Sequence, residues 1–192
     1  MDLAAHIESS GTIADIAAHL ANLAPDARWA SLAALQKRHQ RTLWLKAEAS
    51  RPVEAGDLVE GDQPVVHRGK NSLPLFRDFE KRFVREGDRI WGYNEGRTRR
   101  FLGPGYFLAR PTGAEESARA AWLVDYFQVP AAPPCPGWPE VRGNGRGLSF
   151  FVYHHTRDYL RVVGDGVLIG SAHRVVLGRE RRLDSYFLLH RT

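Results

Sequence analysis

The sequence of 192 residues contains a single cysteine, Cys135. One thiol excludes an intramolecular disulfide and any metal cluster that needs several cysteines. No stretch approaches the run of about 20 apolar residues that a membrane-spanning helix needs. Residues 1–8 have neither a basic segment nor a long apolar run, so they do not resemble a secretory signal. From these absences we expect a cytoplasmic protein without a membrane partner.

Lysine is also scarce. It occurs only at positions 37, 46, 70 and 81, while arginine supplies 23 of the 27 basic residues. The net charge of +5 and the pI of about 9.6 would suit a nucleic-acid partner. Most arginines, however, have acidic neighbours, as in Arg77-Asp78 and Arg179-Glu180-Arg181. This pattern is typical of a solvated mixed-charge surface, so we predict no nucleic-acid binding.

The chain has enough apolar residues to build a core, since 43% of its residues are hydrophobic and 26% are charged. This composition excludes disorder as the overall state. The length suits one domain of moderate size, or a small domain with an appendage.

Residues 1–50 have helical patterning and predict a helical arm. Thr12 and Asp15 have the spacing of a capping box, and Ile13 and Ile16 lie on one helical face. The outline resembles a DNA-binding helix–turn–helix, but its second helix carries Ala, Trp, Ser and Leu rather than base-reading side chains. We interpret the segment as a packing or dimerising arm, because amphipathic helices usually bury their apolar stripe.

Residues 51–72 contain glycines and prolines amid charged residues and predict a long irregular connection. A β-rich domain is predicted over 73–192. A fourth helix is predicted at its start, because Phe76, Phe79 and Phe83 would share one helical face.

From Arg89 onward the pattern changes to aromatic and β-branched runs separated by Gly, Pro and Asp. The predicted strands are 89–94, 105–110, 121–129, 148–155, 167–174 and 185–191. Few segments between them are long enough for a helix, so an antiparallel arrangement is favoured. The sequence therefore predicts an α+β fold, with a helical arm leading into an antiparallel β-barrel or curled sheet of about six or more strands.

The segment 151–170 begins Phe-Val-Tyr-His-His, continues through Asp158-Tyr159-Leu160, and ends in a glycine-containing strand. It resembles the end of bacterial domains of unknown function that carry a Trp–Gly (GXWXG-type) motif, with Ile90-Trp91-Gly92-Tyr93 as a partial Trp–Gly element. The same ending is similar to plastid fibrillins, which are lipocalin-like. The resemblance covers the C-terminal third of the chain. It implies a lipocalin-like barrel and assigns no catalytic residue.

A carboxylate is predicted on an apolar strand face. Alternation over 121–129 places Asp125 on one face with Leu123, Phe127 and Val129. A carboxylate in such a place must be paired, hydrogen-bonded or protonated. Asp125 would serve as a general acid or base facing the barrel interior. The interpretation that we favour is a structural partner for one of the arginines.

The histidines give no metal-binding pattern. Alternation over the predicted strand 148–155 points His154 and His155 in opposite directions, and no HxH or HExxH element is present. We therefore predict neither a metal nor a cofactor. His155, His173 and Tyr153, together with Asp125, are the candidate polar groups of a cofactor-independent enzyme.

Aromatic residues are dense on the predicted strands. Those predicted to contact a ligand are Trp91, Tyr93, Trp122, Tyr126 and Phe151. The first hypothesis is a module that binds an apolar small molecule inside the barrel. One alternative is an interaction protein with a solid barrel, in which the arm mediates homodimerisation. The other is a cofactor-independent isomerase, cyclase or lyase, which would need two polar groups within hydrogen-bond reach of one point in the cavity.

Overall fold

The computed structural model describes residues 2–73 and 77–192, except for the side chain of Phe151. The helices are α1 (Leu3–Glu8), α2 (Ile13–Ala21), α3 (Pro25–Ala33), α4 (Lys37–Lys46), α5 (Ala55–Leu58), α6 (Arg99–Leu102) and α7 (Ser149–Val152). A 3-10 turn, Ala47–Ala49, follows α4. None of these helices is long and apolar enough to cross a membrane.

Eight strands in the described part of the chain close into an antiparallel barrel. The strands are β1 (Val65–Asn71), β2 (Asp78–Glu86), β3 (Arg89–Glu95), β4 (Phe107–Pro111), β5 (Trp122–Asp125), β6 (Thr156–Gly164), β7 (Val167–Val176) and β8 (Arg179–Arg191). Each strand pairs with the next one along the chain, and β8 returns to pair with β1. Closure leaves the barrel without a free edge. The predicted α+β fold, an arm followed by an antiparallel barrel, is confirmed.

Local sequence signals set several element boundaries. Thr12 Oγ1 accepts a hydrogen bond from the Asp15 backbone N–H at 3.2 Å, and Asp15 Oδ2 accepts one from the Thr12 N–H at 2.7 Å. The predicted capping box therefore begins α2. The hairpins on either side of β7 turn at Gly166 and Gly178, whose φ angles are 65° and 74°. Positive φ is strained for residues with a Cβ, so glycine fits these turns.

Two predictions about the start of the barrel are wrong. The segment 51–72 is not wholly irregular, because it contains α5 and the whole of β1. The predicted fourth helix is the strand β2, in which Phe79, Lys81 and Phe83 alternate at a period of two and point inward. Phe79 and Phe83 also fit a helical spacing, which explains the error. Phe76 lies outside the described residues.

Two further strand predictions need correction. The predicted strand 148–155 contains the helix α7, and β6 begins only at Thr156, after His155 at a φ of 58°. The predicted opposite orientation of His154 and His155 is therefore wrong, since their rings stack with centroids 3.7 Å apart. The predicted strand 121–129 is shorter than expected, because β5 ends at Asp125.

One half of the barrel interior is packed solid. Phe83, Ile90 and Leu168 belong to an apolar cluster that fills it. Leu58, at the end of α5, joins this cluster, and its carbonyl oxygen lies 3.1 Å from His67 Nε2 on β1. The segment that contains α5 therefore closes this end of the barrel, and any ligand must enter from the opposite end.

The helical arm covers the outer wall of the barrel rather than extending away from it. Helix α2 packs on β6, and α4 packs on β7 and β8. Arm residues such as Ile16 and Leu43 share one buried cluster with the outward-facing Leu123 and Tyr186. The apolar stripe of the arm is therefore buried against its own barrel.

Candidate functional site

A cavity of about 440 Å³ lies in the other half of the barrel interior. Its deepest polar residues come from four strands or strand ends. They are Lys81, Asn94, Tyr126 and Asp158, and we call them the lysine cluster. The helices α6 and α7 contribute Leu102 and Val152 to its rim. The volume is in the range of small-molecule binding sites, about 300–1,000 Å³.

Lys81 is the centre of the lysine cluster. Its side chain is 1% exposed, and its ammonium group has three oxygen acceptors. Lys81 Nζ lies 3.0 Å from Asn94 Oδ1, 2.5 Å from Tyr126 Oη and 3.3 Å from Asp158 Oδ2. Each of the three ammonium protons therefore has an acceptor, as a buried charge requires.

The other members of the lysine cluster complete the network. Asn94 Nδ2 donates to the Gly105 carbonyl and to Tyr126 Oη, both at 3.1 Å. Tyr126 Oη donates to Asp158 Oδ2 at 3.3 Å. Asp158 Oδ2 thus accepts from both Lys81 and Tyr126, whereas Asp158 Oδ1 has no hydrogen-bond donor among the described residues. Because Asp158 lines the cavity, Oδ1 is available to a bound molecule.

Aromatic rings surround the ammonium group. Lys81 Nζ lies 4.9 Å from the ring centroid of Phe107, 5.0 Å from Phe187, 5.1 Å from Tyr126 and 5.8 Å from Phe79. The negative faces of such rings attract a cation and exclude water from it. The lysine cluster therefore lies in a largely apolar wall.

Glycines on neighbouring strands make room for these phenylalanine rings. Gly69 is paired with Phe79, Gly92 with Phe107 and Gly170 with Phe187 in the strand registers. A Cβ added at Gly69, Gly92 or Gly170 would lie 2.5, 2.3 or 2.1 Å from the nearest atom of the paired ring. Each ring therefore lies flat over a glycine, and all three rings reach the lysine cluster.

Burial changes the proton affinities in the lysine cluster. Loss of solvent lowers the pKa of Lys81, and the carboxylate of Asp158 opposes that shift. Loss of solvent raises the pKa of Asp158, and Lys81 opposes that shift. The two shifts bring the proton affinities of the amine and the carboxyl closer together, which favours proton exchange between them. Burial also raises the pKa of Tyr126, so its hydroxyl keeps its proton.

The rim of the cavity is polar and carries both signs of charge. Tyr153 stacks on the ring of Tyr126 with centroids 5.2 Å apart, and burial raises its pKa. Arg99 and Glu95 form a salt bridge of 2.7 Å beside the mouth. Asp184 also lies on this rim. Because both charges are present, the rim has no strong preference for an anion or a cation.

Of the candidate site residues from the sequence, Tyr126 and Tyr153 line the cavity. Trp91 and Tyr93 lie on the outer face of β3, where Trp138 covers them. Trp122 packs against the apolar cluster in the solid half of the barrel. Phe151 has no described side chain, so its predicted ligand contact lies outside the described residues.

Asp125 is buried, but it lies on the outer face of the barrel rather than facing the interior. Its carboxylate accepts from Arg110 Nη2 at 3.0 Å and lies 3.8 Å from Arg157 Nε. Glu116 joins the same network and pairs with Arg110 at 2.8 Å, and this pairing lowers the pKa of Glu116 to about 2. The geometry matches the arginine-partner interpretation of Asp125.

The two candidate histidines also lie away from the cavity lining. His155 is exposed and stacks on Phe127, with ring centroids 5.1 Å apart. His173 lies on the outer face between Tyr159 and Glu180, with Nδ1 3.4 Å from Glu180 Oε1. Burial lowers the pKa of His173 to about 4. No group of three or more His, Cys, Asp or Glu side chains in the described ranges is placed to hold a metal ion.

Sequence reasoning missed Lys81, Asn94 and Asp158. Lys81 was assigned to a helix, although Phe79, Lys81 and Phe83 also alternate as in a strand with one inward face. A Gly-Asp pair at 87–88 follows that run and is a hairpin signal. Recognition of this hairpin would have placed Lys81 inside the barrel.

No protein-family model, curated protein or solved structure matches this chain. The function must therefore be argued from the cavity and the lysine cluster.

Proposed function

We propose that this protein binds a small neutral molecule in the barrel cavity, with an apolar body and an oxygen-bearing head group. The observation that carries this proposal is a polar cluster, complete except for Asp158 Oδ1, at the base of a cavity of about 440 Å³. The phenylalanine rings would contact the apolar body, and Asp158 Oδ1 would accept a hydrogen bond from the head group. This is the lipocalin-like mode of binding that the C-terminal resemblance implies.

The charge of the lysine cluster supports a neutral head group. Lys81 and Asp158 offset one another, so a carboxylate ligand would gain from the ammonium group but meet the Asp158 carboxylate. An ammonium ligand would meet the opposite conflict with Lys81. A hydroxyl or carbonyl group avoids both conflicts.

The solid-barrel alternative has less support. It needs a filled interior and an arm with an apolar stripe free for a second copy. The cavity argues against the first condition. The burial of Ile13, Ile16 and Leu20 against the barrel argues against the second.

Native mass spectrometry of freshly purified protein is the first test. We expect a stoichiometric mass excess that disappears on denaturation. Ala172 lines the cavity and pairs with Asp158 in the strand register, so Ala172→Phe should fill the space and remove the excess. Ala30→Phe, at an exposed position on α3, is the matched control and should retain it.

Benzyl alcohol provides a second test that does not depend on a co-purified molecule. In amide NMR spectra we expect saturable shifts at Lys81, Tyr126 and Asp158, and their loss in Ala172→Phe. Equal shifts in the wild type and Ala172→Phe would place the alcohol elsewhere and contradict the proposal.

A further inference from the structure

We infer that Lys81 is a nucleophile that forms an imine with the carbonyl carbon of a small aldehyde or ketone bound in the cavity. The inference rests on the proposed function, because a carbonyl compound must first occupy the cavity. It adds a covalent reaction and narrows the ligand class from neutral oxygen compounds to carbonyl compounds.

The position of Lys81 carries the argument. Among the lysines at 37, 46, 70 and 81, only Lys81 lines the cavity. Its Nζ has the carboxylate of Asp158 at 3.3 Å and the hydroxyl of Tyr126 at 2.5 Å. An amine, a proton acceptor and a hydrogen-bond donor therefore meet at one point of the cavity. This satisfies the condition for an enzyme-like site, two polar groups converging within hydrogen-bond reach.

The surroundings favour the neutral, nucleophilic amine. Desolvation in an apolar pocket is a known means of activating lysine for attack on a carbonyl. Burial lowers the pKa of Lys81 in this direction, while Asp158 opposes it. The rings of Phe107 and Phe187 also favour the ammonium form. Proton transfer to Asp158 offsets both effects, because it removes two opposite charges from the interior at once.

The reaction balances with Asp158 as its only proton carrier. The ammonium group of Lys81 first gives a proton to Asp158, and the free amine then attacks the carbonyl carbon. A C–N bond forms, the carbonyl π electrons move to oxygen, and that oxygen takes the proton from Asp158. Asp158 next accepts a second proton from the nitrogen, which leaves a neutral carbinolamine.

In the last step the C–O bond breaks and the leaving oxygen takes the proton back from Asp158. The nitrogen lone pair forms the C=N bond, and the products are a protonated imine and one water molecule. The ammonium and the protonated imine carry the same charge, so Asp158 ends as it began, a carboxylate paired with a cation. Asp158 Oδ1 is the oxygen free to serve the cavity side.

Reductive trapping tests the inference on the intact wild-type protein. Limiting benzaldehyde and sodium cyanoborohydride at neutral pH convert an imine into a stable benzylamine, which peptide mass mapping locates. We expect Lys81 to carry at least about tenfold more label than Lys70. Lys70 is the internal control: it lies on β1, is similarly buried and pairs with Asp78 at 3.4 Å, but it does not line the cavity.

Benzyl alcohol separates failure of this inference from failure of the proposed function. If the alcohol shifts the lysine cluster but benzaldehyde labels Lys70 and leaves Lys81 unlabelled, imine formation is overturned and binding stands. If neither compound reaches the cavity, both proposals fail for this ligand class. Lys81→Met should lose the Lys81 label and keep the labelling of Lys37 and Lys46 unchanged.

Discussion

Lys81 Nζ and Asp158 Oδ2 lie 3.3 Å apart across the interior of the barrel, on strands β2 and β6. These strands are not neighbours, since β3, β4 and β5 separate them around the wall. The pair therefore links two distant parts of the sheet, and Tyr126 joins it just beyond the end of β5. A polar link of this kind stabilises the barrel only while both partners are present.

Lys81→Met should destabilise the protein by about 3–5 kcal/mol at pH 8, because it leaves the Asp158 carboxylate buried without its partner. The loss should shrink in acid. Without Lys81 the pKa of Asp158 is raised further above its unfolded value, so the protonated form is favoured in the folded state. That stabilisation is present at low pH and is lost as the pH rises through the folded pKa. Urea unfolding at pH 5 and pH 8 measures the difference.

Lys70→Met is the control for that prediction. Lys70 pairs with Asp78, whose side chain is 75% exposed, so the remaining carboxylate would be solvated. We expect a loss of no more than about 1 kcal/mol and no pH-dependent difference from the wild type. An equal loss in both lysine variants would contradict a special role for the Lys81–Asp158 pair.

The sequence predicted the arm and much of the barrel, because those elements have local signals. Thr12 and Asp15 mark the start of α2, and glycine turns follow β6 and β7. The lysine cluster has no such local signal. Lys81 and Asp158 are 77 positions apart in the chain and meet only because the sheet closes. Alternation sorts residues onto two faces but does not say which face is inside, so Asp125 was predicted to face the interior when it lies outside.

Acid should destabilise the wild type through His67. Burial lowers its pKa to about 4, from an ordinary value of 6.5, because the imidazole lies inside the barrel against Phe83. The neutral form is favoured in the folded state, so this stability is complete above pH 6.5 and is lost as the pH falls toward 4. The contribution of His67 is about 3 kcal/mol over that interval.

His67→Gln tests that assignment because its amide keeps a donor for the Leu58 carbonyl and does not titrate. Unfolding free energies should be collected between pH 7 and pH 4. We expect a smaller decrease for the variant than for the wild type. Parallel curves would mean that other groups, such as the buried His173, cause the acid sensitivity.

Gly170→Ala should both destabilise the barrel and close the cavity. The new Cβ would lie 2.1 Å from Phe187 Cζ, so the ring must move off β7 toward Lys81. Overpacking of this kind costs about 1–3 kcal/mol. We expect lower stability in urea and loss of the NMR shifts caused by benzyl alcohol.

Gly56→Ala is the matched control, since Gly56 lies in α5 and nothing lies within 4 Å of its added Cβ. It should leave stability unchanged or raise it by up to about 1 kcal/mol, because alanine favours a helix. Gly170→Ala with wild-type stability and unchanged ligand shifts would contradict the role given to the glycine.

Arg161→Met should release the helical arm from the barrel. The Arg161 guanidinium lies 4.1 Å from the ring centroid of Trp44, donates to the Trp44 carbonyl at 2.8 Å and donates to the Arg119 carbonyl at 2.9 Å. The Trp44 carbonyl is near the C-terminus of α4 and has few other donors within reach. Loss of these charged hydrogen bonds and of the cation–π contact should cost about 2–3 kcal/mol.

Hydrogen exchange distinguishes local release of the arm from general unfolding. Amides of α4 should exchange faster in Arg161→Met, while those of β2 and β3 keep their protection, because the lost contacts lie only between arm and barrel. Arg68→Met is the control: Arg68 is exposed and lies 5.8 Å from the Trp29 ring, so its loss should cost less than about 1 kcal/mol. Uniformly faster exchange over arm and barrel would show that the two unfold together, and Arg161 would then stabilise the whole domain rather than the docking of its arm.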